Sequence, residues 1–530
     1  MRLKSGILIS LFLIGLISCS QVLMTIQSWE IYYTASDKFQ IHYIPPGSGF
    51  PLYEVTLSQV QNWGMIMDDA RDRILQWSFD NPERNSRTRI GIQDLGINAK
   101  GGIQSGHGQM AFDPYYLGVP DAGLNRSASY IEQLAIAVHE YLHVVQFMYP
   151  GSVGPAWVYE GQGRMIQDKI YPLVDTGDAL DLSGYLGEVN GYLTNPVRNL
   201  FDGAYDAALF WTYVTEQFGQ VQTEPDRGLD AIYEFWEGAQ QAGGCTDAFY
   251  VFEKMMDRLG YGWITIEDVF KGFVTANYAK DLDWGNNPSI YRYYDEAQPP
   301  GPFASVKLEI DKDLPYGGVE TDIDFIPFQW SPKYYRVRPQ IRGASAPIIV
   351  EVDQMTTEEL FFEILVINNN QLKNHYTLSD SIHFEQTVMA KPGDELVLIV
   401  STLEQQNVDP VQYRYSFSSG GADLAVNILS PRNRLENLYT IVGPYYDPGK
   451  FLVITEVLSN WAPVPNIERD DFIVQVGGKD AEVITCTNIF GNYYLEVQAP
   501  LQSYWGYQNL TVRYASAIDI EDEAISYDFG

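Results

Sequence analysis

Residues 129–146 read SYIEQLAIAVHEYLHVVQ, and this stretch decides how the first part of the chain folds. Ser129, followed three residues later by Glu132, forms a capping box in which each side chain bonds the backbone N–H of the other residue. Apolar residues recur every three or four positions and form one core-facing stripe: Ile131, Leu134, Val138, Leu142 and Val145. The pattern predicts an amphipathic helix over residues 129–148.

Two histidines stand four residues apart inside this helix. The spacing brings the imidazoles of His139 and His143 to one helix face, about one turn apart, where two nitrogens can bind one Zn²⁺. Glu140 follows the first histidine, where a carboxylate can hold and deprotonate an activated water. The structural alternative is a helix whose histidines only cap it or form ion pairs.

A catalytic zinc takes three protein groups and leaves one position for water. Residues 154–161 read GPAWVYEG after a predicted break at 149–151, and Pro155 suits the first turn of a new helix. Glu160 lies in the first turns of that helix and is the predicted third ligand. Asp168 lies further along and is the weaker candidate. The alternative for Glu160 is a solvated helix glutamate.

The run HEYLH at 139–143, followed by WVYEG at 157–161, resembles the gluzincin branch of zinc metallopeptidases, the thermolysin-like and bacterial-collagenase-like group. The resemblance implies an α+β zincin-like head in which His139, His143 and Glu160 bind zinc and Glu140 is the general base. The following residues 161–163 are similar to the small-residue turn of many relatives.

One position departs from the pattern of this group. Thermolysin-like members often carry a carboxylate four residues after the glutamate ligand, where it orients a histidine through its second nitrogen. Here Arg164 stands at that position. The orienting partner is therefore expected elsewhere, at Asp168, Asp202 or a backbone carbonyl.

Gluzincins also stabilise the oxyanion with a tyrosine or histidine from a later helix. Residues 201–211 read FDGAYDAALFW and resemble that helix, so Tyr205 is the candidate, with a packing tyrosine as the alternative. His107 is a further candidate beside the cleft, although a surface-loop histidine is the expected reading.

The length of 530 residues predicts two to four domains at about 100–200 residues each. Mixed helix and strand patterns favour an α+β metallopeptidase head at 29–296, and the Pro-rich run at 297–302 is a linker by composition. Beyond it the period changes to two, with short strands between turn residues. This predicts two all-β, Ig-like sandwich modules at 303–430 and 431–530, divided near Ser430-Pro431.

The first residues have the character of an export signal. Arg2 and Lys4 precede a short apolar run, so residues 1–18 are predicted to be a signal peptide. The end of this run looks like a bacterial lipobox in which Cys19 would be lipidated; the alternative is ordinary cleavage nearby. The expected location is extracytoplasmic, as a cell-surface or outer-membrane lipoprotein or a secreted protein.

The net charge of the chain limits the classes of molecule that are expected to bind it. With 34 Lys+Arg against 68 Asp+Glu, the formal net charge is −34, which repels phosphate backbones and argues against a nucleic-acid partner. Three cysteines cannot supply a disulfide framework. The acidic run 519–523 has no ordered Ca²⁺-ligand spacing and is expected to be solvated.

Together these features predict an exported zinc endopeptidase that acts on a peptide or protein substrate. Two alternatives stay open: a catalytically inactive zinc-binding adhesion lipoprotein, and an exopeptidase. The sequence carries no clear motif that binds a free α-amine, which favours the endopeptidase.

Overall fold

The structure, a computed structural model, describes residues 29–528 with short gaps. The gaps are 50–53, 83–85, 96–100, 104–108, 121–126, 150–153, 172–183, 224–225, 246, 284, 286, 295–302, 316–317, 342–344, 357–359, 379–382, 404–409, 420–423, 433–438, 443–448, 460–461, 465–466, 501–505 and 515–516. The predicted signal peptide, Cys19, His107 and the predicted linker therefore lie outside the described residues. Among the residues described, none of the helices combines the length and apolar character needed to cross a bilayer.

The first part of the chain is an α+β unit, as the sequence predicted. Its five described strands are β1 (Glu30–Tyr33), β2 (Phe39–Tyr43), β3 (Thr88–Ile92), β4 (Gly101–Ile103) and β5 (Gln109–Phe112). They form one sheet in the order β1-β2-β3-β5-β4. The three central strands are parallel, whereas β1 and β4 run antiparallel to their neighbours. Alternate side chains of β2 point into the core, which matches its period-two pattern.

Eight α-helices follow or interleave these strands in the described part of the chain. They are α1 (Leu57–Leu75), α2 (Tyr130–Gln146), α3 (Ala156–Ile170), α4 (Tyr185–Leu193), α5 (Ala208–Phe218), α6 (Leu229–Ala242), α7 (Ala248–Leu259) and α8 (Ile266–Ala279). The predicted capping box is present, with Ser129 N donating to Glu132 at 2.7 Å and Glu132 N to the Ser129 hydroxyl at 3.2 Å. Helix α6 begins only after Gly228, which has a φ of 72°, a left-handed conformation that does not occur inside an α-helix.

The chain then forms a two-sheet β-sandwich. Its strands are β6 (Ile310–Leu314), β7 (Val319–Ile326), β8 (Ser331–Pro339), β9 (Ala346–Gln354), β10 (Leu360–Asn368), β11 (Gln371–Leu378), β12 (His383–Ala390), β13 (Asp394–Thr402) and β14 (Val411–Ser419). One sheet has the order β11-β10-β13-β8-β6 and the other β12-β9-β14-β7. Side chains of both sheets meet in a core of their own.

A second all-β unit ends the described chain. Its strands are β15 (Leu424–Ser430), β16 (Tyr439–Val442), β17 (Lys450–Ser459), β18 (Ala462–Pro463), β19 (Phe472–Val476), β20 (Lys479–Ile489), β21 (Asn492–Gln498), β22 (Gly506–Tyr514) and β23 (Ala517–Asp528). They join in the order β15-β17-β21-β20-β19-β22-β23-β16, with β18 beside β17. Strand β15 belongs to this sheet, so the unit begins before the predicted division at Ser430-Pro431.

The α+β unit and the sandwich share one hydrophobic core. Trp330, just before β8, lies among phenylalanines of the α+β unit, with ring centroids 5.0 Å from Phe201 and 5.3 Å from Phe270. The Tyr334 hydroxyl donates to the backbone carbonyl of Val274 on α8 at 2.8 Å. Because this apolar contact is continuous, each of the two units helps to stabilise the other.

One carboxyl is buried where these two units meet. Glu363 on β10 is 1% exposed and accepts hydrogen bonds from the hydroxyls of Thr275 on α8 and Tyr291. Burial raises the pKa of Glu363 to about 7. In the unfolded chain this carboxyl loses its proton near its ordinary pKa of 4.5. Its contribution to the free energy of unfolding is therefore fully present below about pH 4.5 and is lost as the pH rises through 7.

We therefore expect Glu363→Gln to change the pH dependence of stability. Below the unfolded pKa the variant and the wild type should unfold alike, whereas at pH 8 the variant should be more stable by roughly 3 kcal/mol. Urea denaturation followed by tryptophan fluorescence at several pH values measures this difference. Exposed Glu385 on β12 supplies the control Glu385→Gln. A difference between Glu363→Gln and wild type that stays constant with pH would contradict the assignment.

Candidate metal centre

Helix α2 carries the two histidines through the core. The sequence predicted one buried stripe, but all residues from Gln133 to Gln146 except Ile136 are buried in the structure. The predicted helix is confirmed at residues 130–146, but its buried surface is wider than one stripe because neighbouring elements cover α2 on nearly every side. His139 and His143, at 3% and 7% exposed, share one face of the helix.

Helix α3 brings the third residue to this face. Trp157, in its first turn, stacks on Trp211 of α5 with ring centroids 5.5 Å apart, and the Trp211 indole donates to the Trp157 carbonyl at 2.9 Å. This anchor fixes the start of α3 against the core. Glu160, one turn further, points at the histidines and keeps 30% of its side chain exposed. The solvent-facing side of the cluster is therefore the Glu160 side.

The structure brings His139, His143 and Glu160 together. His139 Nε2 lies 3.1 Å from His143 Nε2 and 3.2 Å from Glu160 Oε2, and His143 Nε2 lies 3.6 Å from the same oxygen. A tetrahedral zinc with bonds of about 2.0–2.1 Å separates its ligands by about 3.3 Å. The three atoms thus stand at nearly the spacing that one tetrahedral zinc requires, and two imidazoles with a carboxylate are a donor set that zinc accepts.

The three side chains of the cluster alter one another's pKa values. Burial lowers the pKa of His139 to about 4. Burial alone would also lower the pKa of His143, but the hydrogen bond and charge of Glu160 outweigh it and raise that pKa to about 9. Burial opposes ionisation of Glu160, yet its hydrogen bonds with both histidines hold its pKa far below the usual range. Glu160 is therefore a carboxylate, the form in which it can bind a cation.

Glu140 is a buried carboxyl beside the cluster but outside the group of three. It is 4% exposed, and its Oε2 has no hydrogen-bond partner among the described residues. Burial raises its pKa to about 7, where a carboxyl exchanges protons readily near neutral pH. The negative charge of Glu160 acts in the same direction.

Tyr205, the candidate for oxyanion stabilisation, lies at the edge of the cluster. It belongs to a short 3-10 helix, Tyr205–Ala207, immediately before α5. Its ring centroid is 6.2 Å from that of His139, and the guanidinium carbon of Arg164 lies 4.4 Å above its ring. Burial and then the charge of Glu160 raise the pKa of Tyr205 to about 12, so its phenol keeps its proton at neutral pH.

The residue that orients His143 through its second ring nitrogen is a glutamine, not Asp168, Asp202 or a backbone carbonyl as expected. His143 Nδ1 lies 2.7 Å from the Gln146 side-chain oxygen, one turn further along α2. His139 Nδ1 has no hydrogen-bond partner among the described residues, so neither Asp168 nor Asp202 orients a histidine there. The spacing of three between His143 and Gln146 was the signal in the sequence that could have found this bond.

Residues 161–163 lie inside α3 and form no turn, which corrects the expectation from the resemblance. Their small size serves close packing instead. A Cβ on Gly161 would lie 2.9 Å from Trp211 Cδ1, and one on Gly163 would lie 2.7 Å from His139 Cε1 and 2.8 Å from its Nδ1. Gly163 therefore makes room for the ring of His139.

We expect Gly163→Ala to displace His139 and to reduce zinc affinity by about 10–100-fold, the usual cost of losing a contact that orients a ligand. Competition with a chromogenic chelator measures this affinity. Gly191→Ala on α4 is the matched control, because its Cβ meets nothing within 4 Å. The control should keep zinc affinity and gain about 0.5–1 kcal/mol of stability. Equal zinc affinity in Gly163→Ala and wild type would contradict the packing argument.

Comparisons with known proteins add little to this geometry. No protein-family model matches the chain, and no curated protein matches it in sequence. Part of the chain is similar to the pre-peptidase C-terminal domain of a collagenase from Bacillus anthracis, with 14% identity over 21% of this chain and 100% of that chain, and a TM-score of 0.16.

Other similar structures consist of β-domains. A tandem pair of titin Ig domains has 14% identity over 41% of this chain and 94% of its own, with a TM-score of 0.15. Two domains of the S-layer protein SbsC have 13% identity over 41% and 92%, with a TM-score of 0.13. At such TM-scores these likenesses support no statement about fold or function.

Proposed function

We propose that the chain is a zinc-dependent endopeptidase of the gluzincin type. The observation that carries the proposal is the convergence of His139 Nε2, His143 Nε2 and Glu160 Oε2 to within 3.6 Å of one another. These atoms would hold the zinc. The buried Glu140 on the same helix adds a carboxyl group beside the three ligand atoms, where it can accept a proton.

Zinc, when bound, would supply Lewis-acid polarisation of the substrate carbonyl and would acidify water. Glu140 takes the proton of the attacking water and then delivers it to the leaving amine. Tyr205, protonated at neutral pH, donates a hydrogen bond to the oxygen on which negative charge develops. Arg164, over the ring of Tyr205, holds that ring in place.

The proposed enzyme would act outside the cell's cytoplasm, on peptide or protein substrates. Residues 1–18 have the pattern of an export signal, so we infer that the enzyme acts outside the cytoplasm on peptides or proteins. A lipid on Cys19 would be its attachment to a membrane. The two all-β units, which the proposal treats as Ig-like modules, would attach the enzyme to a surface or capture substrate.

Hydrolysis of a defined peptide mixture tests the proposal. The chain from Ser20 onward, stripped with chelator and reloaded with one equivalent of zinc, is expected to create new internal termini that mass spectrometry identifies. The stripped protein should create none. Release of single terminal residues would favour the exopeptidase instead. Bound zinc without any hydrolysis would favour the inactive surface protein, and no bound zinc would overturn the proposal.

A further inference from the structure

A line of three hydrogen bonds runs from the core to His143. The Trp236 indole N–H on α6 donates to Gln162 Oε1 on α3 at 2.8 Å, and Gln146 Nε2 donates to the same oxygen at 3.0 Å. Gln146 Oε1 then lies 2.7 Å from His143 Nδ1. Trp236, Gln162 and Gln146, which we call the relay, are fully buried.

The indole fixes the direction of every bond in this line. Trp236 Nε1 can only donate, so the atom of Gln162 that faces it must be the carbonyl oxygen. That oxygen also faces Gln146, which must therefore present its NH₂ group to Gln162. The remaining atom of the Gln146 amide, its oxygen, faces His143 and can only accept. In the neutral form of His143 the proton is therefore on Nδ1, and Nε2 carries the lone pair.

We propose that Trp236, Gln162 and Gln146 are positioning residues that hold His143 in the Nδ1–H tautomer and thereby keep Nε2 available to a metal. The inference rests on the proposed function in one respect, namely that His143 binds zinc. A ligand whose free nitrogen is set in advance by its surroundings binds metal more tightly.

The opposite orientation of the relay is disfavoured by its own contacts. Turning the Gln162 amide would point NH₂ at the Trp236 N–H, with two donors facing each other in a buried place. Gln162 keeps its orientation although its Nε2 has no partner among the described residues. The indole N–H, rather than a bond from Nε2, is therefore what holds the amide.

Without the indole N–H, the orientation of the Gln162 and Gln146 amides should no longer be fixed. In Trp236→Phe the Gln162 amide can turn, Gln146 can turn with it, and NH₂ can then face His143 Nδ1. That arrangement favours the tautomer whose proton sits on Nε2, which blocks the metal-binding nitrogen. Gln162→Met interrupts the same line at its centre and keeps the volume of the side chain.

The test measures zinc affinity and the tautomer separately. Titration of the purified chain with zinc chloride against a chelator should show about 10–100-fold weaker binding in both Trp236→Phe and Gln162→Met than in wild type. Long-range ¹H–¹⁵N correlation of ¹⁵N-histidine-labelled, zinc-free protein at pH 10 should show Nδ1 protonated in wild type and a mixture of tautomers in the variants. Circular dichroism establishes that each variant is folded, and either variant alone suffices for the test.

Gln167→Met is the matched control. Gln167 is also a buried amide on α3, but it donates to the Ala135 carbonyl and takes no part in the relay. The Gln167→Met variant should have the same zinc affinity and the same His143 tautomer as the wild type. Unchanged affinity in folded Trp236→Phe and Gln162→Met, or an equal loss in Gln167→Met, would overturn the relay while leaving the proposed function intact. Absence of zinc binding by wild type would overturn the proposed function, whereas the tautomer spectra would still decide on the orientation of the relay.

Discussion

Glu140→Gln is expected to reduce hydrolysis by about 10²–10⁴-fold while the protein keeps its zinc, because the amide cannot accept the proton of the attacking water. The substitution preserves the shape of the side chain, and Glu140 is not among the three residues whose metal-binding atoms converge. Replacing a buried carboxyl that has an unpartnered oxygen by a neutral amide should also leave the fold at least as stable. Steady-state cleavage of one identified peptide, with zinc content read on the same sample, measures both quantities.

A matched control separates catalysis from the general effect of removing one carboxylate. Glu253 is exposed on α7, and Glu253→Gln should cleave like wild type. Full activity in Glu140→Gln would remove this residue from the mechanism. Loss of zinc together with activity would instead make Glu140 a residue that supports the metal site.

His143→Ala is expected to abolish zinc binding at micromolar metal, and with it activity. The substitution removes one of the three ligands. Loss of a residue that only orients a ligand already lowers metal affinity by about 10–100-fold, and loss of the ligand itself should lower zinc affinity further. Zinc binds the native state, so it should raise the melting temperature of wild type and leave that of His143→Ala unchanged. Thermal melts with and without added zinc chloride, beside a chelator competition, measure the effect.

His383→Ala is the control for this prediction. His383 lies on β12 of the sandwich, has 58% of its side chain exposed and pairs with Asp353. Its loss should leave zinc affinity and the zinc-induced shift in melting temperature unchanged. A zinc-induced shift that persists in His143→Ala would mean that the metal binds at some other place.

The local features of the candidate metal centre can be predicted from the sequence because they depend on short-range geometry. The cap at Ser129 and the spacing of His139 and His143 are properties of one helix, and the structure confirms the cap. The placement of Glu160 beside them required only a break and a returning helix. Tyr205 was found through a resemblance, and the structure brings it to the cluster in a 3-10 turn rather than in the predicted helix.

What the sequence did not predict depends on packing between distant segments. Trp236 lies 90 residues after Gln146, and neither local pattern nor composition connects the two. The burial of α2 on nearly all sides was not predicted, although its apolar residues extend beyond one stripe; α1, α3 and the sheet supply the cover. The shared core around Trp330 likewise depends on how the sandwich meets α8.

The division between the two all-β units was displaced for a similar reason. Ser430-Pro431 looks like a boundary by composition, yet β15 ends at Ser430 and pairs with β17 of the last sheet. Strand pairing between residues about thirty positions apart leaves no mark at the boundary itself. Register and sheet membership are set by the partners of a strand, which a period-two pattern does not identify.

The most direct test of the central claim is an anomalous difference map, recorded at the zinc absorption edge, from crystals of the zinc-loaded protein. One strong peak is predicted between His139 Nε2, His143 Nε2 and the Glu160 carboxylate, at about 2.0–2.2 Å from each. Zinc at another position, with these three side chains bonded only to one another, would contradict the account.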